Sequence, residues 1–211
     1  MYVKKEHILA WLKDCAEIFV EQRDFLTQLD TDIGDADHGL NMNRGFERVA
    51  EKIPSIEKQD ISTIMKTTGM TLLSSVGGAS GPLYGTFYIR AAGVVTGKEK
   101  LNLEELVNML TAGVEGVVSR GRANIGDKTM CDVWWPVVDA GNAAIEQGLP
   151  LEKALELMVQ AAEEGVIATI EMQAKKGRAS YLGKRSIGHQ DPGATSSMMM
   201  VKSLQRIVAA G

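Results

Sequence analysis

The stretch Leu29-Asp30-Thr31-Asp32-Ile33-Gly34-Asp35-Ala36-Asp37-His38-Gly39-Leu40-Asn41-Met42-Asn43 carries four aspartates within eight residues and no lysine or arginine. Carboxylates this close repel one another unless a cation sits among them, and their oxygens are the hard ligands that Mg²⁺ prefers. A charge run is ordinarily a solvated loop. Gly34 and Gly39, which shape the backbone, and the apolar Ile33 inside the run weigh against that ordinary reading.

Three further stretches hold groups that suit an anion. Gly77-Gly78-Ala79-Ser80-Gly81-Pro82 leads into a helical pattern, and the free N–H groups and dipole of a helix start favour phosphate. Arg120 to Thr129 is a second polar loop marked by glycine. The segment from Ala174 to Gln190 carries Lys175, Lys176, Arg178, Lys184 and Arg185, cations able to neutralise phosphate charge. Carboxylates for a metal, a phosphate cradle and a basic lid are the components of phosphoryl transfer. Taken singly, each has a plain alternative: a turn, or a solvated basic loop. His38 and His189 serve equally well as ligand contacts or as residues that fix a helix start and a loop.

Apolar periodicity supplies the elements that must position these groups. Ile8, Trp11, Leu12, Cys15, Ile18 and Phe19 recur at three- and four-residue spacing, predicting a first helix over Lys4 to Thr27. A second follows from His38 to Ile53, with Leu40, Phe46 and Val49 inward and Pro54 as its stop. A third begins at Asp60-Ile61-Ser62 and ends at Ser75, with Ile61, Ile64, Met65, Met70, Leu72 and Leu73 as its apolar residues. A fourth runs from about Pro82 to Val95, with Ser80 or Gly81 as its cap. Asn102-Leu103-Glu104-Glu105 opens a fifth, to Ser119. A sixth reaches Gln147, with Pro136 kinking it or delaying its start, and a seventh runs from Pro150 to Gln173. Asp191, followed by Pro192, caps an eighth that reaches Ala209 and packs Met198 to Met200 inward. No strand alternation or internal repeat interrupts the pattern. Residues 1–211 therefore form one all-α domain, an antiparallel up-and-down bundle of eight helices.

In such a bundle every second connection lies at the same end. The odd connections are the aspartate stretch, the Gly77–Pro82 loop, the Arg120–Thr129 loop and the Ala174–Gln190 loop. The even connections, near Ser55, Lys98 and Gly148, are ordinary turns. Helix counting alone thus gathers every chemically suggestive stretch into one place.

The remaining totals narrow the class. A net charge of −4 speaks against binding nucleic acid directly, since phosphate backbones demand a basic surface. The two cysteines, Cys15 and Cys131, fit buried thiols of a reduced cytoplasmic protein, and neither a signal region nor a membrane span is evident. An EF-hand starting at Asp35 would need glycine in place of Leu40 and glutamate in place of Phe46, and no P-loop run occurs. An aspartyl-phosphate nucleophile would follow a buried strand, whereas Asp30 follows a helix. The aspartates therefore look like metal ligands.

Asp30-x4-Asp35-x-Asp37-His38-Gly39-x-Asn41-Met42-Asn43-Arg44-Gly45-Phe46 resembles the signature of the nucleotide-binding L subunit of dihydroxyacetone kinase. Gly77 to Pro82, Gly126-Asp127-Lys128-Thr129-Met130, Gly177 to Gly183 and Gly188-His189-Gln190-Asp191-Pro192-Gly193-Ala194 match it as well, so the likeness covers nearly the whole chain. The resemblance implies a barrel-like bundle of eight antiparallel helices with the nucleotide at one end. It implies that Asp30, Asp35 and Asp37 hold two Mg²⁺ ions on ADP or ATP, with Asp32 a bystander. It further implies that His38, Gly39, Leu40, Asn41, Ala79, Ser80, Gly121, Met130, Arg178, Asp191, Pro192 and Gly193 line the nucleotide site. Arg178 would meet the charge that develops during transfer. A chain without a dihydroxyacetone-binding domain resembles the phosphoenolpyruvate-dependent systems. There bound ADP is rephosphorylated by a phosphohistidine on an M subunit, and the phosphoryl group passes to dihydroxyacetone held on a K subunit. The same site would also suit a nucleotide sensor acting on a transcription regulator, or an ATP-dependent kinase working with a separate substrate chain.

Overall fold

Helical periodicity is realised along the whole chain. The computed structural model describes residues 1–211 and contains nine α-helices: α1 (Lys5–Glu21), α2 (Arg23–Ile33), α3 (His38–Ile56), α4 (Ile61–Ser75), α5 (Ser80–Ala92), α6 (Leu103–Gly121), α7 (Cys131–Glu146), α8 (Leu151–Glu171) and α9 (Pro192–Ala210). A 3-10 segment, Arg178–Ser186, lies within the stretch expected to be irregular. Two-residue strands β1 (Val3–Lys4) and β2 (Lys100–Leu101) pair antiparallel, a contact too short to leave any alternation in the sequence.

The packing order follows the chain. α3 lies on α4, α4 on α5, and so on to α8 on α9; α9 then packs on α1, and α1 on α3. With connections as short as Glu57 to Asp60 and Val76 to Ala79, successive neighbours run antiparallel. α2 rests on α3 and α9 and meets α1 little.

Local chemistry explains most of the boundaries. Asp60 caps α4 through Thr63 N (2.9 Å), and Asn102 and Glu105 form a reciprocal capping box at α6. Three expectations need correction. The first predicted helix is two, because the chain kinks at Gln22 (φ −96°, ψ 6°). No glycine or proline marks that point; α2 turns to lean on α3 and α9. The kink leaves the odd-and-even count of connections intact, but it places Asp30 in a helical turn instead of a loop. Pro54 does not stop α3, which continues to Ile56, since a proline in the last turn removes only one terminal hydrogen bond. Pro136 does not delay the start of α7, which begins at Cys131 and carries the proline inside it. The Asp132 carbonyl that Pro136 deprives of a donor is approached by α8 at Gly165, where a Cβ would stand 2.4 Å away.

One continuous apolar core fills the bundle. Trp11, Phe19, Phe46, Phe87, Tyr88 and Trp134 are fully buried in it, with Phe19 on Phe46 at 4.9 Å and Phe87 on Trp134 at 4.6 Å between ring centroids. Cys15 and Cys131 are buried free thiols. Met200 is buried as expected, with Met198 and Met199 packed at its edge. Leu40, Met70 and Leu73 face outward instead, each more than two-fifths exposed. No helix is long and apolar enough to cross a membrane.

Candidate functional site

All four odd connections open into one cleft of about 450 Å³ at the end of the bundle. The starts of α3, α5, α7 and α9 reach it through His38, Ser80, Cys131 and Pro192. Four helix N-termini converging on one space make an electropositive concavity, each favouring an anion by about 0.3–1 kcal/mol. A volume in the range of roughly 300–1,000 Å³ suits a nucleotide-sized ligand.

The acidic groups gather at one wall of this cleft. Carboxylate oxygens of Asp30, Asp35 and Asp37 lie within 4.8 Å of one another. Asp30 is buried on the last turn of α2, and its Oδ2 accepts from the backbone N–H of Asp37 (2.8 Å) and of His38 (3.1 Å). It therefore caps α3 from a neighbouring helix while presenting its carboxylate to the cleft. Gly34 lets the chain pass this close, since a Cβ there would stand 1.9 Å from Asp30 Oδ1. Ala36, between the other two acids, adopts a left-handed φ of 59°, a backbone cost of about 1–2 kcal/mol that recurs at functional sites. Burial raises the Asp37 carboxyl pKa, and neighbouring Asp35 and Asp30 push the same way, opposed by the Asn41 side chain and Arg178. An oxygen-only donor set of this kind fits Mg²⁺. Asp32 stands apart, 3.7 Å from His189 Nδ1.

His38 is not free to bind metal. Its Nδ1 meets Ser80 Oγ (3.0 Å) and its Nε2 meets Ser196 Oγ (2.8 Å), and burial lowers its pKa to about 4, keeping the ring neutral. Tyr84 Oη joins the same buried network through Ser196 (2.7 Å) and Ser197 (2.8 Å). The starts of α3, α5 and α9 are thus locked together by hydroxyls and an imidazole.

The other predicted residues divide. Ala79, Ser80, Gly121, Met130, Arg178, Asp191, Pro192 and Gly193 all line the cleft with His38. Arg178 Nε stands 2.9 Å from Asp35 Oδ2, its side chain 69% exposed at the mouth. Asn41 is buried beneath the Gly77–Gly78 turn, with its Oδ1 3.1 Å from where a Gly77 Cβ would be. Gly39 and Leu40 do not line the cleft: Gly39 packs against α2, and the Leu40 side chain faces solvent. Pro82, Leu83, Val117 and Ala123 add an apolar wall that sequence reasoning missed, suited to a flat ring. Leu83 and Val117 had only the periodicity of the fourth and fifth helices as a signal, whereas Pro82 and Ala123 lie in loops already singled out, where nothing marked them as an apolar wall. Also missed was Asp132, which orders the third loop by accepting from Gly126 N (2.6 Å) and Thr129 N (2.8 Å); Lys128, quoted in the loop motif without a role, is buried.

Asp191 caps α9 through Ala194 N (2.7 Å), and burial raises its pKa to about 7. Because this folded value exceeds the ordinary carboxylate value, the folded state holds a proton that the unfolded chain has released between pH 4 and 7. The stability contributed by Asp191 is then greatest at low pH and declines by about 1.4 kcal/mol per unit as pH rises through that window. Asp191→Asn, which keeps an acceptor for Ala194 N, is expected to flatten this decline in denaturant unfolding between pH 4.5 and 7, which a slope equal to wild type would refute.

Comparison with known proteins places the chain among relatives. The DAK2 domain model matches residues 32–206. The chain is 58% identical over 204 residues to the PEP-dependent dihydroxyacetone kinase, ADP-binding subunit DhaL, of Escherichia coli (strain K12), covering 97% of both. It is 43% identical over 204 residues to PEP-dependent dihydroxyacetone kinase 1, ADP-binding subunit DhaL, of Listeria innocua, again covering 97% of each. In structure it resembles the dihydroxyacetone kinase of C. freundii in complex with AMP-PNP and Mg²⁺, with a TM-score of 0.71 at 22% identity, over 94% of this chain and 33% of that one.

Proposed function

Because the chain belongs to the DAK2-domain family, among the ADP-binding subunits of phosphoenolpyruvate-dependent dihydroxyacetone kinase, we propose that it binds ADP and Mg²⁺ as a phosphoryl-relay subunit. Its phosphoryl donor is the phosphohistidine of an M subunit and its acceptor is dihydroxyacetone carried on a K subunit, giving dihydroxyacetone phosphate. The observation that supports this most is the convergence of the three carboxylates and four helix N-termini in one cleft. The all-helical architecture is compatible with the barrel-like bundle of eight antiparallel helices expected of the family if α2, an 11-residue helix, is counted as the continuation of the first beyond its kink. Relatives covered over nearly their full length are named as subunits of PEP-dependent kinases, which supports the relay over an ATP-dependent kinase.

Asp30, Asp35 and Asp37 would hold two Mg²⁺ ions, which when bound neutralise phosphate charge. Ser80 and Gly193 would place backbone N–H groups against the phosphates, with Pro192 lining the cleft beside them, and Gly121 and Met130 with Leu83 and Val117 would enclose the base. Asn41 positions Asp37. Arg178, at the mouth beside Asp35, would stabilise charge on the phosphoryl group as it moves. The neutral, fully hydrogen-bonded His38 holds Ser80 in place and takes no proton from substrate.

Purified protein is expected to retain ADP in near-stoichiometric amount and to release it on chelation with EDTA. Protein free of nucleotide that shows no Mg²⁺-dependent ADP binding by calorimetry would sink the proposal. Arg178→Ala is expected to slow transfer from phosphorylated M subunit to K-bound dihydroxyacetone by about tenfold, with ADP affinity changed less. Turnover equal to wild type would reject the role given to Arg178.

A further inference from the structure

Lys128 is a long cation in a polar loop, yet its side chain is only 2% exposed. No carboxylate lies within ion-pair reach of its Nζ. All three of its donors are instead spent on backbone carbonyls: Thr169 O (2.6 Å), Met172 O (3.2 Å) and His189 O. Its backbone adopts a left-handed φ of 63°, an unfavourable setting for a lysine that the surroundings must enforce.

The identity of those carbonyls is informative. Thr169 and Met172 close α8, where carbonyls lack intrahelical donors and the dipole is negative, so a cation is well placed there. They also lead into the basic Ala174–Gln190 segment, and His189 stands at its far end. Other contacts draw the same two stems together: Gly188 N to Ile170 O (2.7 Å), Ala174 N to Ser186 Oγ (2.9 Å) and Asp191 N to Thr169 Oγ1 (3.1 Å). Lys128 differs from these because it comes from outside the segment, from the loop that opens α7. It is joined there by Lys175 N, which donates to Asp127 O (3.1 Å). Between the stapled stems lies Arg178, aimed at Asp35.

We propose that Lys128 is a positioning residue whose buried ammonium staples both stems of the Ala174–Gln190 segment to the cleft. The staple holds Arg178 over the site and sets how long nucleotide stays bound. The nucleotide part of this proposal rests on the function proposed above; the staple itself does not. Burying an ammonium costs several kcal/mol unless its donors are satisfied, so loss of the staple should loosen the segment selectively.

The segment offers its own probe, since Lys175, Lys176, Arg178, Lys184 and Arg185 are all trypsin sites. In limited proteolysis without nucleotide, Lys128→Met should speed cleavage within residues 175–185 by about tenfold, with cuts elsewhere unchanged. With Mg²⁺ and ADP, displacement by a fluorescent ADP analogue should show release about tenfold faster and association unaltered. Cleavage in the segment within twofold of wild type would overturn the staple, as would equal acceleration at all sites, the mark of general loosening. If wild-type protein binds no ADP, the proposed function fails while the proteolysis still judges the staple. Faster cleavage with unchanged ADP release would overturn the control of residence time. Should Lys128→Met not fold, Lys128→Gln, which keeps two donors, should give about threefold faster cleavage, and cleavage at the wild-type rate would overturn the proposal.

Discussion

Asp35→Ala and Asp37→Ala are each expected to weaken Mg²⁺-dependent ADP binding by more than about a hundredfold, equivalent to about 2.7 kcal/mol, without loss of fold. The two halves of this expectation have separate causes. Carboxylates 4.8 Å apart repel by about 3.5 kcal/mol per pair at an effective dielectric of 20, before solvent and Arg178 reduce it. Removing one acid therefore relieves strain in the free protein while deleting a ligand. Asp35 contacts only Arg178, and Asp37 only the Asn41 side chain, so no framework bond is lost. Asp30 differs because its Oδ2 caps α3. Asp30→Ala should cost about 1–2 kcal/mol of stability as well as binding, whereas Asp30→Asn should lose binding and keep most of the stability. Calorimetric titration of ADP in excess Mg²⁺, paired with thermal melts, separates these outcomes. Binding within threefold of wild type in Asp37→Ala would remove the acid cluster from the site.

Gly39→Ala is expected to destabilise the protein by about 3 kcal/mol, lowering the melting temperature by about 6–12 °C. The Cβ would stand 1.9 Å from the carbonyl oxygen of Arg23 and 2.5 Å from Thr27 Oγ1, both on α2. The Arg23 oxygen belongs to backbone, so α2 and α3 must separate. The gain in helix propensity from glycine to alanine, about 1 kcal/mol, is too small to offset this. Moving α2 also displaces Asp30 from the start of α3, so ADP affinity should fall together with stability. A melting temperature within 2 °C of wild type would show that the helices can part cheaply. Gly39 thus acts through packing, although it sits in the motif that resembles a nucleotide site.

Much of the molecule was legible in residue order alone. Asp60, Asn102 and Asp191 announced helix starts and cap them, because capping is a bond between residues three apart in the chain. Helix counting brought four separated stretches to one end, and they do line one cleft. The kink at Gln22 did not disturb that inference, since it bends the first helix without reversing it. Leu40 was misassigned to the interior because periodicity fixes a stripe only to within about one position, and α3 turns Gly39 and Met42 inward instead.

The sequence by itself determined the all-helical class, the order of the helices, the end of the bundle where chemistry gathers and the aspartate stretch worth testing. All of these depend on spacing along the chain and on the alternation of neighbouring helices, whereas the choice of three of the four acids came from the family resemblance. Only the tertiary structure decided that Asp30 is both a cap and a candidate ligand, that His38 is held neutral between two serines, and that Lys128 is buried on three carbonyls. Each of those roles comes from partners 7 to 158 residues away. Residue type states what a side chain can donate or accept, and only the packed helices determine which distant group meets it.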